Sequence, residues 1–242
     1  MTHYHFIGIG GAGLSPIARV VIVRGHSISG SDMTLSPFAE ELQALGVKVL
    51  IGHKAENVKG AETVIRSSAV PDDNVEVLAA MNMHIPVLKR ADFLEELALG
   101  FKIIAIAGTH GKTTTTAMIA WILTQLGEDP SFIIGGVSKD LGVNAHNGNG
   151  EYFVIEADEY DSMFLGLQPD YLIVTNIEYD HPDYFPTLVS YEKSFHDLIK
   201  RIKPGGTLIS CVNNKGSLQL SKLAEQYTKV LTYGIDVQAS YS

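Results

Sequence analysis

Ile103-Ile-Ala-Ile-Ala-Gly108-Thr-His-Gly-Lys112-Thr-Thr-Thr-Thr116 carries most of the architectural information in this chain. Five apolar residues suited to a buried strand run straight into a glycine turn, and the turn runs into a helix that opens on four threonines. Strand, Gly-rich turn and helix in that order make a phosphate cradle. The first N–H groups of a helix lack intrahelical partners and carry partial positive charge, and glycine lets a polyphosphate approach them closely. Lys112 adds a full cation for the β/γ-phosphates and Thr113 a hydroxyl ligand for Mg²⁺. The strict G-x-x-x-x-G-K-[ST] spacing is not met, because its first glycine falls at Ile106 and the chain has Gly108 instead. The loop is therefore a variant, expected to hold ATP and Mg²⁺ through Gly108, Thr109, His110, Gly111, Lys112, Thr113 and Thr114.

Outward from this loop, short apolar runs alternate with longer amphipathic segments along the whole chain, which predicts an α/β fold with mainly parallel sheets. In the first half, strands are expected at Tyr4 to Ile9, Val47 to Ile51, Thr63 to Arg66 and Ile85 to Leu88, with a helix over Leu14 to Arg24. The same grammar restarts at Lys102 to Ala107. It continues with a helix from about Lys112 to Leu126, strands near Ser131 to Ile134, Tyr152 to Ile155 and Tyr171 to Val174, and a helix from Leu188 to Ile202. Pro204-Gly-Gly206 ends that helix before a strand from Thr207, and Lys229 to Tyr233 reads as the last strand. Two domains are expected: a Rossmann-like one over 1–100 and a P-loop-type one over 101–235, with 236–242 opening a linker. Gly135 to Gly150, rich in Gly and Asn, is expected to be a long functional loop.

Three further clusters sit where α/β proteins keep their ligands, at the carboxyl ends of strands. Tyr152-Phe-Val-Ile-Glu156 is a strand ending in a carboxylate, the arrangement that brings an acid beside the metal of a P-loop. Glu156 and Asp158 share a face if that strand continues. Asn176-Ile-Glu-Tyr-Asp180-His181-Pro-Asp183 follows the next strand, and its imidazole can ligate a metal while Asp180 and Asp183 orient it or hold ions. At the N-terminus, Gly8-Ile-Gly10-Gly11-Ala-Gly13 satisfies G-x-G-x-x-G between a strand and a helix, with Asp32 on the following strand end. That pattern takes any nucleotide diphosphate and does not by itself name a nicotinamide cofactor. A dehydrogenase has no use for the second cradle, whereas a nucleotide-activated substrate modified at the expense of ATP needs both.

Composition narrows the partners. A formal net charge of −9, without a Lys/Arg run of five or more, argues against nucleic acid or an anionic membrane surface. No apolar stretch reaches the roughly 18 residues a membrane span needs, and the N-terminus moves directly into a strand pattern, so a cytoplasmic protein is expected. The single cysteine, Cys211, lies in an apolar run and reads as an inert core thiol.

The segments Gly108 to Thr114, Glu156 to Asp161 and Asn176 to Asp183, with His5 to Ser15 and Gly30-Ser-Asp32, together resemble the Mur ligase family, above all its alanine-adding branch. The resemblance implies an ATP-dependent ligase that joins L-alanine to the lactyl carboxylate of UDP-N-acetylmuramic acid through an acyl phosphate. It implies that Lys112 holds the β/γ-phosphates, that Thr113 and Glu156 bind a first Mg²⁺, that His181 binds a second, and that Asn176 belongs to the nucleotide site. It further implies that Gly10, Gly11 and Gly13 seat the UDP diphosphate, with Asp32, Ser67 and Ser68 near the uridine and Asn144, beside Gly135-Gly136, facing the sugar. Family members carry a third domain that brings the amine, absent from these 242 residues. Several also carry a carbamylated lysine where this chain has His196. The alanine-adding branch and the related murein-peptide ligase, the near alternative, do without it. A binding fragment without turnover is the other alternative.

Overall fold

The structure, a computed structural model, describes residues 1–241 and is α/β throughout. In chain order the elements are β1 (His3–Ile7), α1 (Ser15–Val23), β2 (Ser27–Asp32), α2 (Pro37–Ala44), β3 (Lys48–Ile51), β4 (Thr63–Arg66), α3 (Val75–Asn82), β5 (Val87–Lys89) and α4 (Arg90–Leu97). There follow β6 (Lys102–Ala107), α5 (Lys112–Gln125), β7 (Ser131–Ile133), β8 (Ala145–His146), β9 (Tyr152–Glu156), β10 (Tyr171–Val174), α6 (Leu188–Ile199), β11 (Thr207–Cys211), α7 (Lys215–Ala224) and β12 (Lys229–Tyr233). They form two compact units, Met1–Phe93 with Gly135–Asn147, and Leu94–Ile134 with the described residues from Gly148 onward.

The first unit is a parallel sheet in the order β3-β2-β1-β4-β5. The chain moves from β1 to one side, then crosses to β4 on the other, so the carboxyl ends of β1 and β4 flank the point where strand order reverses. Ligand crevices open at such points. β1 stops at Ile7, two residues short of the expected end, because Gly8 turns the chain at φ +84° and the amides of Gly8 and Ile9 both donate to the Ser31 carbonyl. Ile7, Val58, Val64, Val77 and Ala80 form a buried cluster between the sheet and α3. Gly135–Asn147, expected to lie with the second domain, belongs by its contacts to this unit. There β8 lies against α1, and Arg24 Nε donates to Asn147 Oδ1 at 2.8 Å.

The second unit contributes six parallel strands in the order β12-β11-β10-β6-β9-β7. Strands covered on both faces read as unbroken apolar runs, and Phe153, Val154 and Ile155 of β9 are 0–1% exposed. β6 lies between β10 and β9, so the loop that leaves it opens between Asn176 and Glu156. α6 closes at Ile199, three residues before its expected end. α7, which carries no separate expectation from the sequence, is capped by Asn214, whose side chain accepts from the Ser217 amide. Among the described residues no helix is long and apolar enough to cross a membrane.

Candidate functional site

Capping separates the helices into two kinds. α2, α3, α6 and α7 begin under side-chain oxygens of Ser36, Asn74, Thr187 and Asn214. α1 and α5, which follow the two glycine turns, have no side-chain cap at all. A helix start without a cap keeps amide donors for something else, and an anion satisfies both the donors and the dipole.

The turn before α5 can be built only from glycine at two positions. Gly108 has φ +132°, and a Cβ there would overlap Thr175 Oγ1; Gly111 is left-handed at φ +81°. Asn176 clamps the turn from both sides, its Oδ1 accepting the His110 amide at 2.9 Å and its Nδ2 donating to the His110 carbonyl at 3.0 Å. Asn176 thus shapes the cradle with one donor and one acceptor position of its side chain. Thr109 is buried beneath, its Oγ1 2.8 Å from the Glu178 carbonyl and 2.8 Å from Tyr191 Oη.

Two polar clusters flank Lys112. On one side Thr113 Oγ1 donates to Glu156 Oε1 at 3.0 Å, which brings together the hydroxyl and the strand-end carboxylate expected to share a metal. β9 ends at Glu156, so Asp158 leaves the strand and instead accepts the Tyr160 amide at 3.2 Å. On the other side stands Glu159, fully buried, which no strand or helix pattern singled out. Lys112 Nζ donates to its Oε2 at 2.8 Å and its Oε1 at 3.1 Å, and to the Gly108 carbonyl at 2.7 Å. Tyr191 Oη adds a bond to Oε1 at 3.3 Å. Burial pushes the Glu159 carboxyl above the usual carboxylate range, and the ammonium of Lys112 pulls against it.

His181 lies beside Glu159: its Nε2 is 3.7 Å from Glu159 Oε1 and 3.9 Å from Asp180 Oδ2. One ligand atom from each of Glu159, Asp180 and His181 lies within 4.8 Å of the others, a set of hard oxygens with one imidazole that suits a divalent cation. His181 has φ +52°, and Asp161 and Ser162 each have φ +54°, so left-handed non-glycine residues concentrate around this cluster. Tyr160 braces it, its ring edge-on to His181 at 5.2 Å and its hydroxyl donating to Asp183 Oδ2 at 3.1 Å. His196, at the position discussed for the modified lysine, instead lines a cavity of ≈ 300 Å³ with Glu192, Ile177, Gly216, Gln219, Leu220 and Leu223.

The glycine turn of the first unit has its own supports. Asp32 Oδ2 accepts the Gly10 amide at 2.9 Å and Ser36 Oγ donates to the Gly10 carbonyl at 2.7 Å, leaving no room for a Cβ on Gly10. Asp32 therefore holds the turn it was expected to complement. Ser67 meets the same turn, 3.0 Å from where a Gly8 Cβ would stand, and Arg66 pins the Ser67-Ser68 segment by donating to the Val70 carbonyl at 2.7 Å. A Cβ on Gly13 would overlap Nη1 of Arg90, a cation at the head of α4 that sequence spacing could not assign to this turn. Asn144 is buried, 4% exposed.

A family model described as the Mur ligase family catalytic domain matches residues 3–102, and one described as the Mur ligase middle domain matches 106–242. The chain is 47% identical over 231 residues to the UDP-N-acetylmuramate–L-alanine ligase of Renibacterium salmoninarum, covering 95% of this chain and 50% of that one. The structure of UDP-N-acetylmuramate:L-alanyl-gamma-D-glutamyl-meso-diaminopimelate ligase from Neisseria meningitides superposes with a TM-score of 0.87 at 30% identity, over 96% of this chain and 78% of that one. That of UDP-N-acetylmuramate-alanine ligase from Thermotoga maritima does so with a TM-score of 0.85 at 29% identity, over 98% and 53%. The chain spans about half the length of the curated relatives it matches.

Proposed function

The chain belongs to the Mur ligase family, and we propose that it serves an ATP-dependent ligase of peptidoglycan synthesis that joins L-alanine to the lactyl carboxylate of UDP-N-acetylmuramic acid. The curated relatives at 42–47% identity, all named for that reaction, support the substrate pair. The observation that carries the reading is Lys112 at the head of α5, with Thr113 against Glu156 on one flank and His181 on the other. A cytoplasmic location goes with ATP and a UDP-activated sugar as substrates.

The lactyl carboxylate attacks the γ-phosphorus of ATP, giving an acyl phosphate and ADP. The amine of L-alanine then adds to the acyl carbon, and the tetrahedral intermediate expels phosphate and loses a proton to leave the amide. Carboxylate and triphosphate repel each other, so the first step needs charge neutralised on the phosphates before attack. Lys112 supplies one cation, and the amides from Gly108 to Thr114 supply aligned dipoles. Bound Mg²⁺ supplies Lewis-acid charge at the phosphate oxygens, with Thr113 and Glu156 suited to hold one ion and His181 another. Residues 1–100 carry the UDP-sugar in this scheme, through Gly10, Gly11, Gly13, Asp32, Ser67 and Ser68, with Asn144 toward the sugar. Residues 101–235 carry ATP, and 236–242 open a linker.

A second reading, a ligase that attaches a ready-made tripeptide, is supported by the likeness to the Neisseria enzyme. Phosphate release by the native full-length protein separates the two. With UDP-N-acetylmuramic acid and ATP, L-alanine drives turnover on the first reading, and L-alanyl-gamma-D-glutamyl-meso-diaminopimelate drives it on the second. Release with neither amine overturns both.

A further inference from the structure

We propose that Glu159 is a positioning residue that competes with the nucleotide for Lys112 and, once the lysine is drawn away, becomes a divalent-cation ligand together with Asp180 and His181. The inference rests on the reading of Gly108 to Thr114 as an ATP cradle and adds a partner exchange to it. An ammonium has three hydrogens, and Lys112 Nζ already meets the Gly108 carbonyl at 2.7 Å, both oxygens of Glu159 at 2.8 and 3.1 Å and, within the cradle, the Thr109 carbonyl at 3.4 Å. A phosphate oxygen can gain a bond from Lys112 only by displacing one of these. The Gly108 carbonyl belongs to the cradle itself, so the partner given up is Glu159.

Losing that partner has a consequence, because Glu159 is fully buried and a buried carboxylate without a counter-charge is strongly disfavoured. Tyr191 Oη, at 3.3 Å, gives it one neutral donor and no charge. Its own backbone amide adds a hydrogen bond and no charge, and His181 Nε2 converges on it at 3.7 Å with Asp180 beside the same imidazole. An imidazole and two carboxylates whose ligand atoms lie within 4.8 Å of one another can replace the ammonium with a divalent cation. Nucleotide and cation then favour each other: the nucleotide draws Lys112 off Glu159, and the cation compensates the carboxylate left behind. Such reciprocity is a coupling free energy between two sites.

Calorimetric titration of the full-length protein with the non-hydrolysable β,γ-imido analogue of ATP, in EDTA and in MgCl₂, tests this. Glu159→Gln is expected to bind the analogue in EDTA on the order of tenfold more tightly than the wild type, because Lys112 is no longer held by a charge. Its gain on adding MgCl₂ is expected to shrink by a similar factor. Asp180→Asn removes a neighbouring negative charge without touching Lys112. It is expected to change binding in EDTA less than about twofold while also losing part of the magnesium gain. Equal behaviour of the two variants in EDTA would reduce Glu159 to ordinary repulsion of phosphate and overturn the proposal, as would no tightening in Glu159→Gln. Thermal melts establish that each variant is folded, and Glu159→Asp, which draws the carboxylate back by one methylene, decides the question if the glutamine variant does not fold. Wild-type protein that fails to bind the analogue even with MgCl₂ sinks the ATP reading itself, a different failure.

Discussion

Replacing Glu76 by glutamine should remove a substantial electrostatic contribution to the stability of the first unit. The Glu76 carboxylate is completely buried, yet it accepts from Ser31 Oγ at 2.6 Å, Asn57 Nδ2 at 2.6 Å, the Lys54 amide at 3.1 Å and His5 Nε2 at 3.2 Å. The chain of bonds extends through Ser29, which meets His5 Nδ1 at 2.8 Å and His3 Nε2 at 2.9 Å. Burial pushes the carboxyl up, but the hydrogen bonds from His5, Ser31 and Asn57 overcome it and hold the group at about 2, against an ordinary 4.5. A group held below its unfolded value stabilises the fold above that value and loses the contribution as pH falls through the folded one. The displacement corresponds to about 3 kcal/mol, fully present at neutral pH and lost progressively from about pH 4.5 down to about pH 2. Glutamine keeps the shape but turns an NH₂ toward donors, so Glu76→Gln should cost about 2–4 kcal/mol at pH 7. Urea unfolding of both proteins from pH 7 to pH 3 measures the difference, in which all other carboxylates cancel. A variant within about 0.5 kcal/mol of wild type at pH 7, or a gap that stays constant as pH falls, refutes the reasoning.

Lys112→Ala should lower the affinity for the ATP analogue by about 1.5–3 kcal/mol and abolish acyl-phosphate formation, measured by calorimetry and single-turnover phosphate transfer. Glu156→Gln should raise the magnesium concentration for half-maximal turnover on the order of tenfold, with the KM for the UDP-sugar unchanged. Gly13→Ala puts a methyl where the end of the Arg90 side chain now lies and displaces that guanidinium, so it should raise the KM for the UDP-sugar while kcat and nucleotide affinity hold.

What sequence conveys about this molecule depends on how local the cause is. Lys102–Ala107, Thr63–Arg66, Tyr171–Val174 and Lys229–Tyr233 match their expected strands residue for residue, the first three because a strand inside a sheet writes itself as an apolar run, the last, a half-buried edge strand, through Val230, Thr232 and Tyr233, which suit a pleated surface. The two glycine turns are equally legible, since the need for a missing Cβ is a property of one position. Glu159 is not. It follows β9 in a turn where Asp161 and Ser162 are left-handed, and a turn has no period that could aim a side chain at Lys112. Tyr191 and Arg90 are hidden for a related reason: each reaches its loop from a helix far along the chain, by a path that only the sheet order defines. β8 and its contact with α1 were masked by composition, because Gly- and Asn-rich sequence reads as loop whatever unit it joins.

The two glycine cradles share a backbone design but differ in the charge around it, and that difference fits the chemistry proposed for each. At the first, Asp32 and Ser36 are committed to the Gly10 backbone, and Arg90 brings a full positive charge against Gly13. Helix amides and one guanidinium are enough for a diphosphate that is bound and released unchanged, since ground-state binding asks only for modest neutralisation. At the second, Lys112 is accompanied by Thr113 with Glu156 and by Glu159 with Asp180 and His181, so anionic side chains crowd a site meant for an anion. Carboxylates there would oppose triphosphate binding if they acted alone. Under the reading proposed for this site, a divalent cation held by these carboxylates would offset that opposition, a role that Lys112, itself paired with Glu159, does not fill alone.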